Sequence, residues 1–143
     1  MLTIAGEISG GQSCVRVLVV DDRSVFRDVI CRLVDAAQGL DLLAAADSGE
    51  TAVAAVSELE PDMVIMDVAM PGIGGISASQ RIKADRPTTV VVLVSATHPA
   101  DLPPETDESL ADVIVWKPHL RPALLEQIWV THRSPRGGDI SSS

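Results

Sequence analysis

Val17-Leu18-Val19-Val20-Asp21-Asp22, near the start of the chain, is an apolar, β-branched run that ends in two carboxylates. The same plan returns in Met63-Val64-Ile65-Met66-Asp67, in Val90-Val91-Val92-Leu93-Val94-Ser95 and in Val113-Ile114-Val115-Trp116-Lys117. Runs with no polar alternation suit strands buried on both faces of a parallel sheet. Polar residues stepping out of the ends of such strands gather along one edge, where open α/β folds place their ligands. Asp21, Asp22, Asp67, Ser95 and Lys117 are thereby brought together. Three carboxylates, a hydroxyl and an ammonium in one place make a site for a divalent metal and a phosphoryl group.

The segments between these runs carry helical periods. Val25, Phe26, Val29, Ile30, Leu33 and Val34 recur at helical spacing and predict a helix from Ser24 to about Ala37, with Gly39 as its stop. An Ala-rich strand is expected over 40–46. Ser48, with Thr51 three residues later, opens a helix through Leu59, and Pro61 prevents its extension. Pro71-Gly72 and Gly74-Gly75 form a long turn before a helix over about 76–85. A last helix is expected from Pro122, well placed in a first turn, to about Thr131. The region 98–110 holds Pro99, Pro103 and Pro104, so any helix there is expected to be short or distorted, starting at Pro104 and reaching Leu110 or Ala111. Strands alternating with helices imply a doubly wound, five-stranded parallel sheet. Residues 1–14 read as a flexible leader, 15–132 as the folded domain and 133–143 as a polar, flexible tail.

Composition narrows the function classes. With 143 residues and 46% hydrophobic content the chain can build one good core, and disorder throughout is excluded. The net charge of −9 disfavours direct nucleic-acid binding. Apolar stretches are far shorter than a bilayer span and no charged-then-apolar leader opens the chain, so a cytoplasmic protein without membrane insertion is expected. Cys14 and Cys31 form neither a disulfide framework nor a zinc motif, and His98, His119 and His132 lack a ligand pattern and read as surface residues.

The motifs together identify a family. Val17 to Asp22, Val64-Ile65-Met66-Asp67 with Met70-Pro71-Gly72, Ser95-Ala96 and Lys117-Pro118 resemble, in order and approximate spacing, the receiver domain of bacterial two-component response regulators. The resemblance covers about residues 15–132. It implies a flavodoxin-like (CheY-like) sheet in the order 2-1-3-4-5, with Asp67 as phosphoacceptor for a sensor histidine kinase or phosphotransfer protein. It also implies Mg²⁺ held by Asp22, Asp67, the backbone carbonyl of Ala69 and, through water, Asp21. Lys117 would pair first with Asp67 and later with the phosphoryl group, and Ser95 would donate to another phosphoryl oxygen. The Lys117–Pro118 bond is expected to be cis, as is usual in that family.

Three departures bear on mechanism. The family's aromatic switch residue, three before the lysine, is Ile114 here, and strand alternation puts Trp116 on the same face as a candidate replacement. Ala69, two past Asp67, offers only a carbonyl and no polar side chain to orient water. The 98–110 segment carries Asp101, Glu105, Asp107 and Glu108 where the family forms its output and dimerisation face, so a monomer or weak dimer is expected. The resulting expectation is a stand-alone signalling switch that acts on a downstream protein through contact. The alternatives are a receiver kept as a phosphorylation-independent interaction module and, last, an aspartyl-phosphate phosphatase. The phosphatase would usually need a second acid where Ala69 stands.

Overall fold

The computed structural model of the protein describes residues 2–4 and 14–133. Among the described residues six strands form one sheet: β1 (Leu2–Ile4), β2 (Val15–Val20), β3 (Leu40–Ala46), β4 (Met63–Asp67), β5 (Val90–Ser95) and β6 (Val113–Trp116), in the order β1-β3-β2-β4-β5-β6. Strands β2 to β6 are parallel and, counted among themselves, run 2-1-3-4-5. Four α-helices cover the sheet: α1 (Ser24–Ala36), α2 (Gly49–Leu59), α3 (Gly74–Asp85) and α4 (Pro122–His132).

The apolar runs fill both faces, as their lack of alternation requires. Val17, Val19, Met63, Ile65, Val92, Val94 and Val115 pack on one side with Ile30 and Val34 of α1 and Leu125 and Ile128 of α4. Leu18, Val20, Val64, Met66, Val91 and Leu93 pack on the other with Ala52, Ala55 and Val56 of α2 and Ala78 and Ile82 of α3. The period of two splits each strand between the two cores. Helix α2 begins where its cap places it, since the Ser48 hydroxyl accepts the Thr51 N–H at 3.1 Å.

Local differences from the sequence expectation have physical causes. Leu2–Ile4, expected to be part of a loose leader, pairs antiparallel with Ala44–Ala46 as a sixth, edge strand. Three residues are too few to show a period, and the pairing is made by backbone groups that any residue carries. Residues 5–13 and 134–143 of the expected leader and tail lie outside the described residues. Helix α3 starts at Gly74, not near 76, because the Gly75 N–H is bonded to the Val68 carbonyl at 3.0 Å and docks the helix onto the end of β4. The 98–110 region holds two 3₁₀ turns, Pro99–Asp101 and Pro104–Glu108, where a fourth crossover helix would lie. Its prolines remove the amide donors that an α-helix needs.

The Lys117–Pro118 bond, expected to be cis, is trans, since the described backbone has no cis peptide. Lys117–His119 instead form a 3₁₀ turn, closed by the Leu120 N–H on the Lys117 carbonyl at 3.0 Å. The intrinsic trans preference before proline is about 0.5–1 kcal/mol, and a helical turn requires the trans bond.

Gly75 is the tightest point in the frame. A Cβ there would sit 2.2 Å from the Asp67 carbonyl oxygen and 2.8 Å from Val68 Cα, both rigid backbone atoms. Gly75→Ala is therefore expected to destabilise the fold by about 1–3 kcal/mol through overpacking. Urea unfolding checks this, and an unchanged midpoint would mean that α3 can lift off β4 freely.

Candidate functional site

Four strand ends build the site. Asp21 and Asp22 follow β2, Asp67 closes β4, Ser95 closes β5 and Lys117 follows β6, all at the carboxyl edge of the sheet. Asp21 is fully buried, and Asp67 is 5% exposed. The Lys117 ammonium lies 3.3 Å from Asp21 Oδ2 and 3.3 Å from Asp67 Oδ2, with its side chain 13% exposed. The second oxygen of each carboxylate is held by backbone. Asp21 Oδ1 accepts the Arg23 N–H at 2.9 Å, and Asp67 Oδ1 accepts the Ala69 N–H at 3.1 Å. Both are two-residue Asx-type turns, the local reason that an Asp leaves its strand with a fixed side-chain direction.

One ammonium faces more than one carboxylate. Burial first, and then the neighbouring Asp21 charge, push the Asp67 carboxyl above its ordinary pKa, while Lys117 and the Ala69 N–H act against that rise without cancelling it. Oxygens of Asp21, Asp22 and Asp67 all lie within 4.8 Å of one another, and Asp22 Oδ1 is buried with no hydrogen-bond partner. Unneutralised charge, clustered hard oxygens and an orphaned carboxylate oxygen fit a small dication such as Mg²⁺, which takes few protein ligands and keeps its waters.

Ser95 is brought to the same edge but is turned inward on its own loop. Its hydroxyl donates to the Thr97 carbonyl at 2.7 Å and accepts the Thr97 N–H at 2.9 Å. Ile114 is half-buried in β6 and lines a cleft beneath the proline-rich turns. Trp116 pairs with Ser95 in register, and its indole N–H donates to the Ala96 carbonyl at 3.3 Å. His98 and His119, both exposed, pack edge-on against the Trp116 ring with centroids 5.1 Å away in each case.

Two contributors escape a sequence reading. Arg27 Nη1 donates to the Asp21 carbonyl at 2.8 Å, and the Lys117 ammonium stands 4.2 Å from the centroid of the Phe26 ring. Both residues sit in α1, where Phe26 is indistinguishable by period from the apolar residues that face the core. Its only sequence signal is its place one helical turn past Asp22.

Comparison with known proteins agrees with this geometry. The profile of the response regulator receiver domain matches residues 17–129. The response regulator GacA of Pseudomonas viridiflava is 42% identical over 89 residues, which are 62% of this chain and 42% of that protein. Protein-glutamate methylesterase/protein-glutamine glutaminase 2 of Anaeromyxobacter dehalogenans is 41% identical over 88 residues, 62% of this chain and 26% of that protein. The chain thus spans less than half the length of these curated relatives. The signal receiver domain of the putative response regulator NarL from Mycobacterium tuberculosis superposes with a TM-score of 0.71 at 26% identity, covering 82% of this chain and 98% of that one.

The electrostatics make a signed prediction. Asp67→Asn is expected to raise the thermal midpoint of the metal-free protein at neutral pH, because it removes a buried charge that its surroundings disfavour. The folded carboxyl binds its proton more readily than the unfolded one, so the gain is largest above the raised folded pKa. It disappears as pH falls below the unfolded value. A variant less stable than wild type in chelator at neutral pH would show that the Lys117 pairing outweighs burial and repulsion.

Proposed function

The chain belongs to the response regulator receiver domain family, and from that premise we propose that Asp67 accepts a phosphoryl group and that the domain acts as a signalling switch through contact with another protein. The single observation that carries the proposal is the Asp67 carboxylate, nearly buried and held between the Ala69 N–H and the Lys117 ammonium, with Asp21 and Asp22 oxygens beside it.

The donor is a phosphohistidine on a sensor histidine kinase or a phosphotransfer protein. A carboxylate oxygen of Asp67 attacks phosphorus, the O–P bond forms as the P–N bond breaks, and the electron pair leaves with the imidazole. An anion approaching an anionic phosphoryl group is slow unless the charge on the equatorial oxygens is neutralised. Lys117 supplies one positive charge by moving from the Asp67 carboxylate to a phosphoryl oxygen. Asp21, Asp22, Asp67 and the Ala69 carbonyl would hold Mg²⁺, which would supply further positive charge there. Water then hydrolyses the acyl phosphate slowly, with no polar side chain at Ala69 to orient it, and no external substrate is required.

The report of that event runs through the Ser95 loop. To reach a phosphoryl oxygen the Ser95 hydroxyl must give up its bond to the Thr97 carbonyl, and any shift of Ala96 is felt at the Trp116 indole that it holds. Trp116 therefore takes part of the role that Ile114 cannot perform. The self-satisfied Ser95 hydroxyl and the missing aromatic also suit a second reading, a receiver used as a phosphorylation-independent interaction module.

Mass spectrometry after incubation with acetyl phosphate and Mg²⁺ separates the two. One phosphoryl adduct on the wild type, abolished in Asp67→Asn, supports the switch, and no adduct on the wild type selects the interaction module. In a Trp129→Phe background, where Trp116 is the remaining tryptophan, its fluorescence should change on phosphorylation. An unaltered spectrum in phosphorylated protein would remove Trp116 from the output.

A further inference from the structure

We propose that Phe26 is a positioning residue for Lys117, its ring face acting as the third partner of the ammonium. The proposal rests on the phosphoryl-accepting reading above for its purpose, though the contact itself does not depend on that reading. An ammonium has three N–H donors and no acceptor. Two point to carboxylates, at 3.3 Å from Asp21 Oδ2 and 3.3 Å from Asp67 Oδ2. The Phe26 ring also lies under the ammonium, 4.2 Å from Nζ to centroid, well inside the range of a cation–π contact. Phe26 is the one phenylalanine of the chain, and it stands 37% exposed on α1, outside the two cores. Its placement follows from the ammonium and from the groove of about 440 Å³ that it lines with Lys117 and Pro118.

The ring does what a hydrogen-bond acceptor in its place would not. A phosphoryl group arriving at Asp67 obliges the ammonium to leave that carboxylate for a phosphoryl oxygen. A carbonyl or carboxylate as third partner would hold it by a directional bond and resist the displacement. The attraction to a π face is less directional than a hydrogen bond, so Nζ can slide while keeping its partner. The Arg23 guanidinium is a second cation near the same ring, 5.6 Å from its centroid and so farther off than the Lys117 ammonium at 4.2 Å.

The test uses the full chain with Phe26→Leu, which keeps apolar bulk, and Phe26→Tyr, which keeps the ring. Proton NMR of the metal-free protein reads the contact directly, because a ring at this distance moves the Lys117 ε-methylene protons upfield. That shift is expected in wild type and Phe26→Tyr and lost in Phe26→Leu. Phosphorylation by acetyl phosphate with Mg²⁺, a small donor that needs no docking surface, should be roughly three- to tenfold slower in Phe26→Leu and near wild type in Phe26→Tyr. Absence of the upfield shift in wild type, or a Phe26→Leu rate equal to wild type, overturns the proposal. A wild type with the shift but no phosphoryl uptake sinks the phosphoryl-accepting reading while leaving the ring–ammonium contact in place.

Discussion

The Lys117 ammonium between Asp21 and Asp67 is the interaction around which this molecule is arranged. Its three members come from β2, β4 and β6, and β5 lies between the last two. Neighbouring strands are about 4.8 Å apart, so the start of the Lys117 side chain is roughly 10 Å from the axis of β4. A long, flexible side chain is needed to cross that gap, and a parallel sheet is needed to bring all three strand ends to one edge. The sheet order, the strand lengths and the 3₁₀ turn at Lys117–His119 all serve that convergence.

The arrangement is incomplete as an electrostatic structure. Among the described residues the Lys117 ammonium is the cation paired with this cluster of three carboxylates, of which Asp21 and Asp67 are too buried for water to screen fully. A protein selected for stability alone has no reason to keep such a cluster. The unmet charge is instead what a dication and a transferred phosphoryl group can satisfy in turn, and the raised Asp67 pKa expresses the same imbalance. Glycine at 75 has a matching logic. The α3 helix is packed onto the backbone of Asp67 and Val68 so closely that no side chain fits, which fixes the base of the carboxylate.

The output side is less regular. Two proline-led 3₁₀ turns replace a crossover helix, and Ile114 stands at the position where the family usually carries an aromatic. Trp116, edge-on to His98 and His119 and bonded to Ala96, ties the Ser95 loop to the turn that carries Lys117. The carboxylate cluster with its lysine and the Ser95 loop are thus joined through one indole and the backbone on either side of it.

The sequence by itself determined the parallel sheet, the ends of β2, β4, β5 and β6, and the identity of Asp21, Asp22, Asp67 and Lys117. Each of these depends on short-range facts, namely unbroken β-branched runs and the polar residue that ends them. Tertiary structure alone decided the rest. Leu2–Ile4 joins the sheet because a backbone edge was available, and α3 begins two residues early because Val68 offers a carbonyl. Lys117–Pro118 is trans, with Lys117–His119 closed into a 3₁₀ turn, where the resemblance implied a cis bond. Phe26 faces an ammonium rather than the core because Lys117, distant in sequence, arrives beside it. Period and propensity report what a residue prefers, whereas its partner is set by which strand end the fold places opposite.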